Sequence, residues 1–263
     1  LSTGLDHRVA LVEVERQLSL PAARWSDLRW DTPTPATTVE RVIRLGEFVG
    51  DLPTALGIQG VPALIEFPLK AGIAVRSGVD TRAEAFAFLK AIMLRLLAAV
   101  PPGSLELKVI DPVALGQSVA EFRHLAEYDE RLVDEKTWTS ERDVERLLDG
   151  LTGHIEVVIS QYLKGQFETI DEYNEHAGEV AQPYRALVVF DFPNGFSDRA
   201  ARQLLSLAEN GPRCGVYTVI HYTDDATGAP AEASAERIAR DMHRVTAVED
   251  GWQVDPDTGP PAA

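Results

Sequence analysis

The sequence predicts an α/β domain, a three-layer sandwich in which helices cover a mainly parallel central sheet. Three observations point there. From Val42 onward, short apolar runs bounded by turn residues recur, as strands do. Long stretches with apolar residues at helical spacing, Thr81 to Val100 and Glu141 to Phe167, lie between such runs. One run, Ala186-Leu187-Val188-Val189-Phe190, is apolar at every position, the pattern of a strand covered on both faces. Strands that alternate with helices imply βαβ units, which pair their strands in parallel.

The chain begins with a peripheral helix, Asp6 to Leu20, whose apolar residues Val9, Val12 and Leu18 stand among charges. Trp25 and Trp30 follow, then Thr32-Pro33-Thr34-Pro35, which is linker chemistry; together they read as an arm packed on the body. Strands are predicted at Val42 to Val49, Ala63 to Phe67 and Gly72 to Val75. The first long helix carries the stripe Ala85, Leu89, Ile92, Met93, Leu96 and Val100. Asp80 or Thr81 is its expected cap, with Glu84 as the capping-box partner of Thr81, and Pro101-Pro102-Gly103 stops it. Leu105 to Ile110 is the next strand, followed by a loop with a short helix through Phe122 and Tyr128. After the second long helix come the strand ending at Asp191, a helix from Asp198 to Glu209, a strand from Gly215 to Tyr222 and a helix from Ala233 to His243. The expected division is residues 1–40 as an N-terminal helix and proline-rich arm, 41–250 as the α/β domain, and 251–263 as a flexible tail.

Composition excludes several classes. A single cysteine, Cys214, rules out an internal disulfide and any cysteine cluster for zinc or iron–sulfur, and fits a reducing cytoplasm. No apolar run reaches the ~20 residues of a membrane helix, and the first residues lack the basic-then-apolar order of a signal peptide. Leu1 in place of Met reads as a piece cut from a longer chain. The net charge of −16 repels phosphate backbones over most of the surface. A protein partner, or a neighbouring domain of the same chain, fits that charge better than duplex DNA does.

In a parallel sheet, ligands sit at the carboxyl ends of the strands. Those ends are Arg76-Ser77-Gly78, Asp111-Pro112, Asp191-Phe192-Pro193 and Tyr222-Thr223-Asp224. Between the strand at Val75 and the helix near Thr81 stands Arg76-Ser77-Gly78-Val79-Asp80-Thr81-Arg82-Ala83, where a phosphate-cradling loop would lie. Such a loop needs glycines so that its amides close around the phosphates, a Lys for the β/γ oxygens, and a Ser or Thr for Mg²⁺. Here Gly78 alone gives a permissive backbone, Arg82 stands in the place of the Lys and Ala83 in that of the hydroxyl, and Asp80 puts a negative charge where phosphates would lie. Thr81 is a substitute hydroxyl out of register. Two readings stand: a plain strand–helix connection, or a degenerate phosphate loop.

Asp191 ends an apolar strand, as a Walker B aspartate does when it holds Mg²⁺; it also suits the turn that follows. The next residue is Phe192, and a phenyl ring cannot take a proton from an attacking water. His221 with Asp224 and Asp225 matches no established metal spacing, so a hydrogen-bonded strand-end histidine is the simpler reading. Arg213, in Gly211-Pro212-Arg213-Cys214-Gly215, is placed either as an ordinary loop residue or as a group reaching a neighbouring subunit's nucleotide.

These pieces, in this order, resemble the motor domain of the FtsK/SpoIIIE translocases, over roughly Arg41 to Asp224. The matching segments are Arg44-Leu45-Gly46-Glu47, the helix ending Val100-Pro101-Pro102-Gly103, Ile110-Asp111-Pro112, Leu187-Val188-Val189-Phe190-Asp191 and Gly211-Pro212-Arg213-Cys214-Gly215-Val216-Tyr217. The resemblance implies a RecA-like, P-loop NTPase-type fold and an ancestry in ATP-driven translocation. The departures are the family's Gly-Lys-Ser/Thr, here Thr81-Arg82-Ala83; its Lys after Asp-Pro, here Val113; and its Walker B Glu, here Phe192. The chain is most similar to the degenerate member of large bacterial proteins that carry tandem domains of this type. That implies a pseudo-ATPase without cofactor, working in the cytoplasm beside an intact ATPase domain of the same chain or ring. The alternative is a residual ATP-binding motor domain for DNA or protein translocation, with Thr81 and Arg82 substituting and Asp191 holding Mg²⁺.

Overall fold

The computed structural model describes residues 11, 13–49, 60–130, 132–133, 138–248 and 251–254. The chain divides into two units, Leu1–Pro68 with Ile92–Pro102, and Leu69–Ala91 with Gly103–Ala263.

In the smaller unit, residues 11 and 13–17 are helical, within the peripheral helix expected there; Val9 and Val12 lie outside the described residues. Strands β1 (Val42–Phe48) and β2 (Val61–Glu66) form an antiparallel pair, with a register shift between Arg44 and Gly46. The Arg44 guanidinium is buried, and donates to the carbonyl of Ala22 at 2.8 Å and to the carboxylates of Glu15 and Glu47. Trp25 and Trp30 lie 4.5 Å apart between ring centres. Both rings lie near the guanidinium of Arg95, so the expected packed arm is what the structure holds.

The larger unit is built on a six-stranded sheet in the order β4-β5-β6-β3-β7-β8. Its strands are β3 (Ile73–Ser77), β4 (Leu105–Ile110), β5 (Tyr184–Phe192), β6 (Val216–Thr223), β7 (His243–Val248) and β8 (Gly251–Val254). All neighbours pair in parallel except β7 and β8. The flanking helices are α1 (Arg82–Ala98), α2 (Glu141–Val157), α3 (Ile170–Ala177), α4 (Asp198–Asn210) and the short α5 (Ala235–Ile238). Serine or threonine caps four of them: Ser140, Thr169, Ser197 and Ser234 each accept from the amide three residues on, satisfying a donor that the first turn leaves free. The expected cap of α1 differs: Thr81 Oγ1 turns back and accepts from the Gly78 amide at 3.1 Å.

Residues Ala186–Phe190 are fully buried at the centre of β5, as a strand covered on both faces requires. Every residue of the α1 stripe is buried too. Three expectations need correction. The last predicted helix shrinks to Ala235–Ile238, and the chain from His243 becomes β7, whose burial on one face alternates with exposed positions. Residues 251–254, assigned to a flexible tail, form edge strand β8, because Trp252 packs its ring against Phe88 at 4.6 Å and so has burial to gain. The second long helix leaves α-geometry at Val158 for a widened π turn that ends with Lys164 in the left-handed region. Helix α3 had no counterpart in the sequence reading.

Candidate functional site

The carboxyl ends of β3, β5 and β6 and the start of α1 meet around one carboxylate, that of Asp191. Strand β5 brings it there through a bulge. Val189 pairs with Ile220 and Phe192 with Tyr222, so Phe190 and Asp191 together stand opposite His221 alone. Asp191 takes φ 55°, a left-handed conformation that aspartate tolerates better than most residues. Its carbonyl then accepts from both the amide and the side chain of Asn194 at 2.9 Å, so the turn-forming reading of Asp191 holds for its backbone.

The side chain does something else. Arg82, the first residue of α1, reaches back and pairs with it side-on: Nε donates to Oδ1 at 2.9 Å, and Nη2 donates to Oδ2. A cation at a helix amino end opposes the helix dipole by about 0.3–1 kcal/mol, so this arginine is stable there only with an acid in front of it. Its guanidinium also lies 4.5 Å above the Phe86 ring, one turn along the same helix. Burial pushes the Asp191 carboxyl up, but hydrogen bonds from Arg82 and His221 outweigh it and bring the group down to about 2. The hydrogen bond to Asp191 raises Arg82 in turn, with burial opposing.

His221 is fully buried between two partners. Its Nδ1 lies 3.2 Å from Asp191 Oδ1 and its Nε2 2.9 Å from Ser77 Oγ. With the proton on Nδ1, the ring donates to Asp191 and accepts from Ser77. Phe86 presents an edge-to-face contact to the imidazole at 5.1 Å and to Phe190 at 4.8 Å. Ser77, His221 and Asp191 thus have the hydrogen-bond pattern of a Ser-His-Asp triad. Ser77 and His221 are both 0% exposed, however, so the hydroxyl meets no substrate and the pattern is a buried tie between strands.

The turn itself is short. Four residues, Gly78–Thr81, join β3 to α1. The amide of Gly78 is bonded to Thr81 Oγ1, and that of Arg82 turns onto the Val79 carbonyl at 3.4 Å. Asp80 is exposed and points no charge into the cluster's hydrogen bonds. Arg76 is half exposed and pairs with Asp224 across the ends of β3 and β6 at 2.5 Å. Phe192 is buried, edge-on to Phe196 at 5.0 Å.

Asp111 is fully buried, and its two carboxylate oxygens accept from the amides of Ala114 and Ser118, which closes the loop after β4. It is close enough to Arg82 to add to the field that favours the guanidinium charge. Arg213 sits apart. It is exposed on the turn before β6, and the 8 residues of that strand separate it from the cluster, roughly 25 Å at about 3.3 Å per residue. Among the described residues, no group of three or more His, Cys, Asp or Glu is placed to hold a metal ion. His221 faces Asp191 and Ser77, so the considered trio with Asp224 and Asp225 is not assembled through it. Sequence reasoning missed the roles of Ser77 and Phe86. The only signal was their spacing around Arg82, since Phe86 lies one helical turn beyond it.

Among the described residues, no helix is long and apolar enough to cross a membrane. No protein-family model matches the sequence, and no curated protein does. Solved structures do match. EssC from Geobacillus thermodenitrificans, a structure of its ATPases 2 and 3, is 14% identical with a TM-score of 0.62, over 81% of this chain and 38% of that one. The pCW3 conjugation coupling protein TcpA, a monomer with ATPγS, is 14% identical with a TM-score of 0.60, over 88% of this chain and 67% of that one. The cytoplasmic domain of the Thermomonospora curvata type VII secretion ATPase EccC is 16% identical with a TM-score of 0.55, over 88% of this chain and 24% of that one. The chain therefore spans well under half the length of the EssC and EccC chains it matches. Its mostly parallel sheet with flanking helices is the RecA-like, P-loop fold of the FtsK/SpoIIIE-type ATPases.

Proposed function

We propose that this chain is a degenerate FtsK/SpoIIIE-type module that serves a translocase motor by supporting an active ATPase domain, without hydrolysing ATP itself. One observation carries the reading: the arginine in the phosphate-loop lysine position is spent on the aspartate in the metal-binding position. A triphosphate with Mg²⁺ fits these residues poorly. The cation that would meet its oxygens already faces a carboxylate, and the carboxylate that would meet the metal already faces a guanidinium. The turn has four residues, and the amide of its glycine is already bonded. Phe192 supplies no base for water.

The module would act in the cytoplasm beside a second ATPase domain of the same chain or ring. The matched EssC structure contains two ATPase domains, which supports a tandem setting. The charge of −16 favours a protein neighbour over duplex DNA.

Titration calorimetry of the chain with ATP and Mg²⁺ tests this. The expected result is no binding heat up to about millimolar nucleotide, the weak end of useful affinities. Micromolar binding that disappears in Asp191→Ala would establish instead a residual ATP-binding motor domain, in which Arg82 leaves Asp191 for the phosphates.

A further inference from the structure

We propose that the side-chain series Ser77–His221–Asp191–Arg82 is a built-in replacement for bound nucleotide, holding the strand-end site in one fixed arrangement with no ligand present. This rests on the reading that the site does not hold ATP.

A nucleotide in a parallel-sheet site cross-links its walls, because strand ends and the helix amino end each present groups to the same ligand. Here the walls present groups to each other. Ser77 at the end of β3 meets His221 of β6 at 2.9 Å. His221 meets Asp191 of β5 at 3.2 Å, and Asp191 meets Arg82 of α1 at 2.9 Å. Three strands and a helix are therefore tied by one continuous series of polar contacts. Packing fixes its members. Arg82 lies over Phe86, whose ring edges are set against Phe190 and His221. Ser77 and His221 have no exposed surface and Asp191 keeps 5%. Within the series one acid faces one base, so nothing in it calls for an external counter-charge.

A module built this way presents the same turn and helix start to a neighbour through every nucleotide cycle. It is a positioning device, and Arg82 is the residue on which it closes.

Hydrogen exchange and thermal melting of the 263-residue chain test it. In the parent protein, ATP with Mg²⁺ is expected to leave both the melting temperature and the exchange of residues 78–90 unchanged. Arg82→Met strands a buried carboxylate and should lower the melting temperature by on the order of 10 °C. It should also speed exchange of the Gly78–Ala85 amides by roughly tenfold or more, as the turn opens locally. Asp191→Asn keeps a residue that tolerates φ 55° and leaves Arg82 free to reach water, so its loss should be smaller. Combining Arg82→Gln with Asp191→Asn removes both charges and should recover over half of the loss. If Arg82→Met does not fold, Asp191→Asn alone and its combination with Arg82→Gln still measure the coupling.

The inference is overturned if Arg82→Met melts within about 2 °C of the parent with equal protection, or if the double variant shows no recovery. The two readings fail separately. Protection gained on adding ATP and Mg²⁺ would sink the proposed function, whereas silence toward both ATP and Arg82→Met would sink only the clasp.

Discussion

Arg82 and Arg95 both belong to helix α1, yet they are neutralised in different ways. Arg82 in the larger unit faces a carboxylate and keeps part of its surface in water. Arg95 in the smaller unit is 2% exposed, and its partners are neutral: the carbonyls of Pro21 and Ala23 at 2.7 and 2.9 Å, and the face of Trp25 at 4.1 Å. Burial, and then repulsion from Arg44, lowers Arg95 to about 10, so it still carries its charge at neutral pH. The contrast separates two uses of a buried cation. An ion pair can be dissolved or exchanged for another ligand. A charge solvated only by backbone dipoles and ring faces cannot be left behind, so the arm that supplies them stays docked.

The largest expected effect breaks the second arrangement. Arg95→Met should destabilise the smaller unit by about 3 kcal/mol, because two buried carbonyls lose their donor and the ring loses its cation. Urea unfolding followed by tryptophan emission reads this directly. An unshifted midpoint would mean that the arm is held by apolar contact alone.

A second probe is acid. His154 is lowered to about 4, first by burial and then by the Arg185 cation that donates to its Nε2. Arg185 is held in turn by Glu106 at 3.2 Å. A histidine depressed below its unfolded value binds its proton more readily in the unfolded chain, so its contribution is complete above about 6.5 and falls away as pH drops toward about 4. Stability should fall by about 2–3 kcal/mol across that window, and His154→Gln should flatten the curve there. Asp191 moves the same way lower down, losing its contribution as pH falls from about 3.8 toward about 2.

The smallest effect sharpens the account of the strand-end site. Ser77→Ala leaves the His221 ring nitrogen buried without a donor and should cost about 1–2 kcal/mol. A neutral result would show that the tie between β3 and β6 rests on their backbone ladder.

The parallel strands were legible because burial on both faces forces every residue to be apolar, and local composition records that. Strands β7 and β8 were not. His243-Arg244-Val245-Thr246-Ala247-Val248 is covered on one side, and its polar residues resemble the tail of a helix. Gly251-Trp252-Gln253-Val254 is too short to show a period and gains its place from Phe88. At the site, the loss of the phosphate-loop lysine and of the Walker B glutamate could be read from single positions.

What the sequence determined alone, then, is the alternation of buried strands and amphipathic helices, and the absence of the usual phosphate-handling residue types from the strand ends. Both are local properties, written in which side chains can meet water. Only the tertiary structure decided what the replacements do. Arg82 and Asp191 are 109 positions apart, and Ser77 and His221 144 apart. Nothing local marks them as partners until parallel pairing and a bulge in β5 bring strand ends and helix start together. An ion pair depends on distance in space, and the fold alone sets that distance.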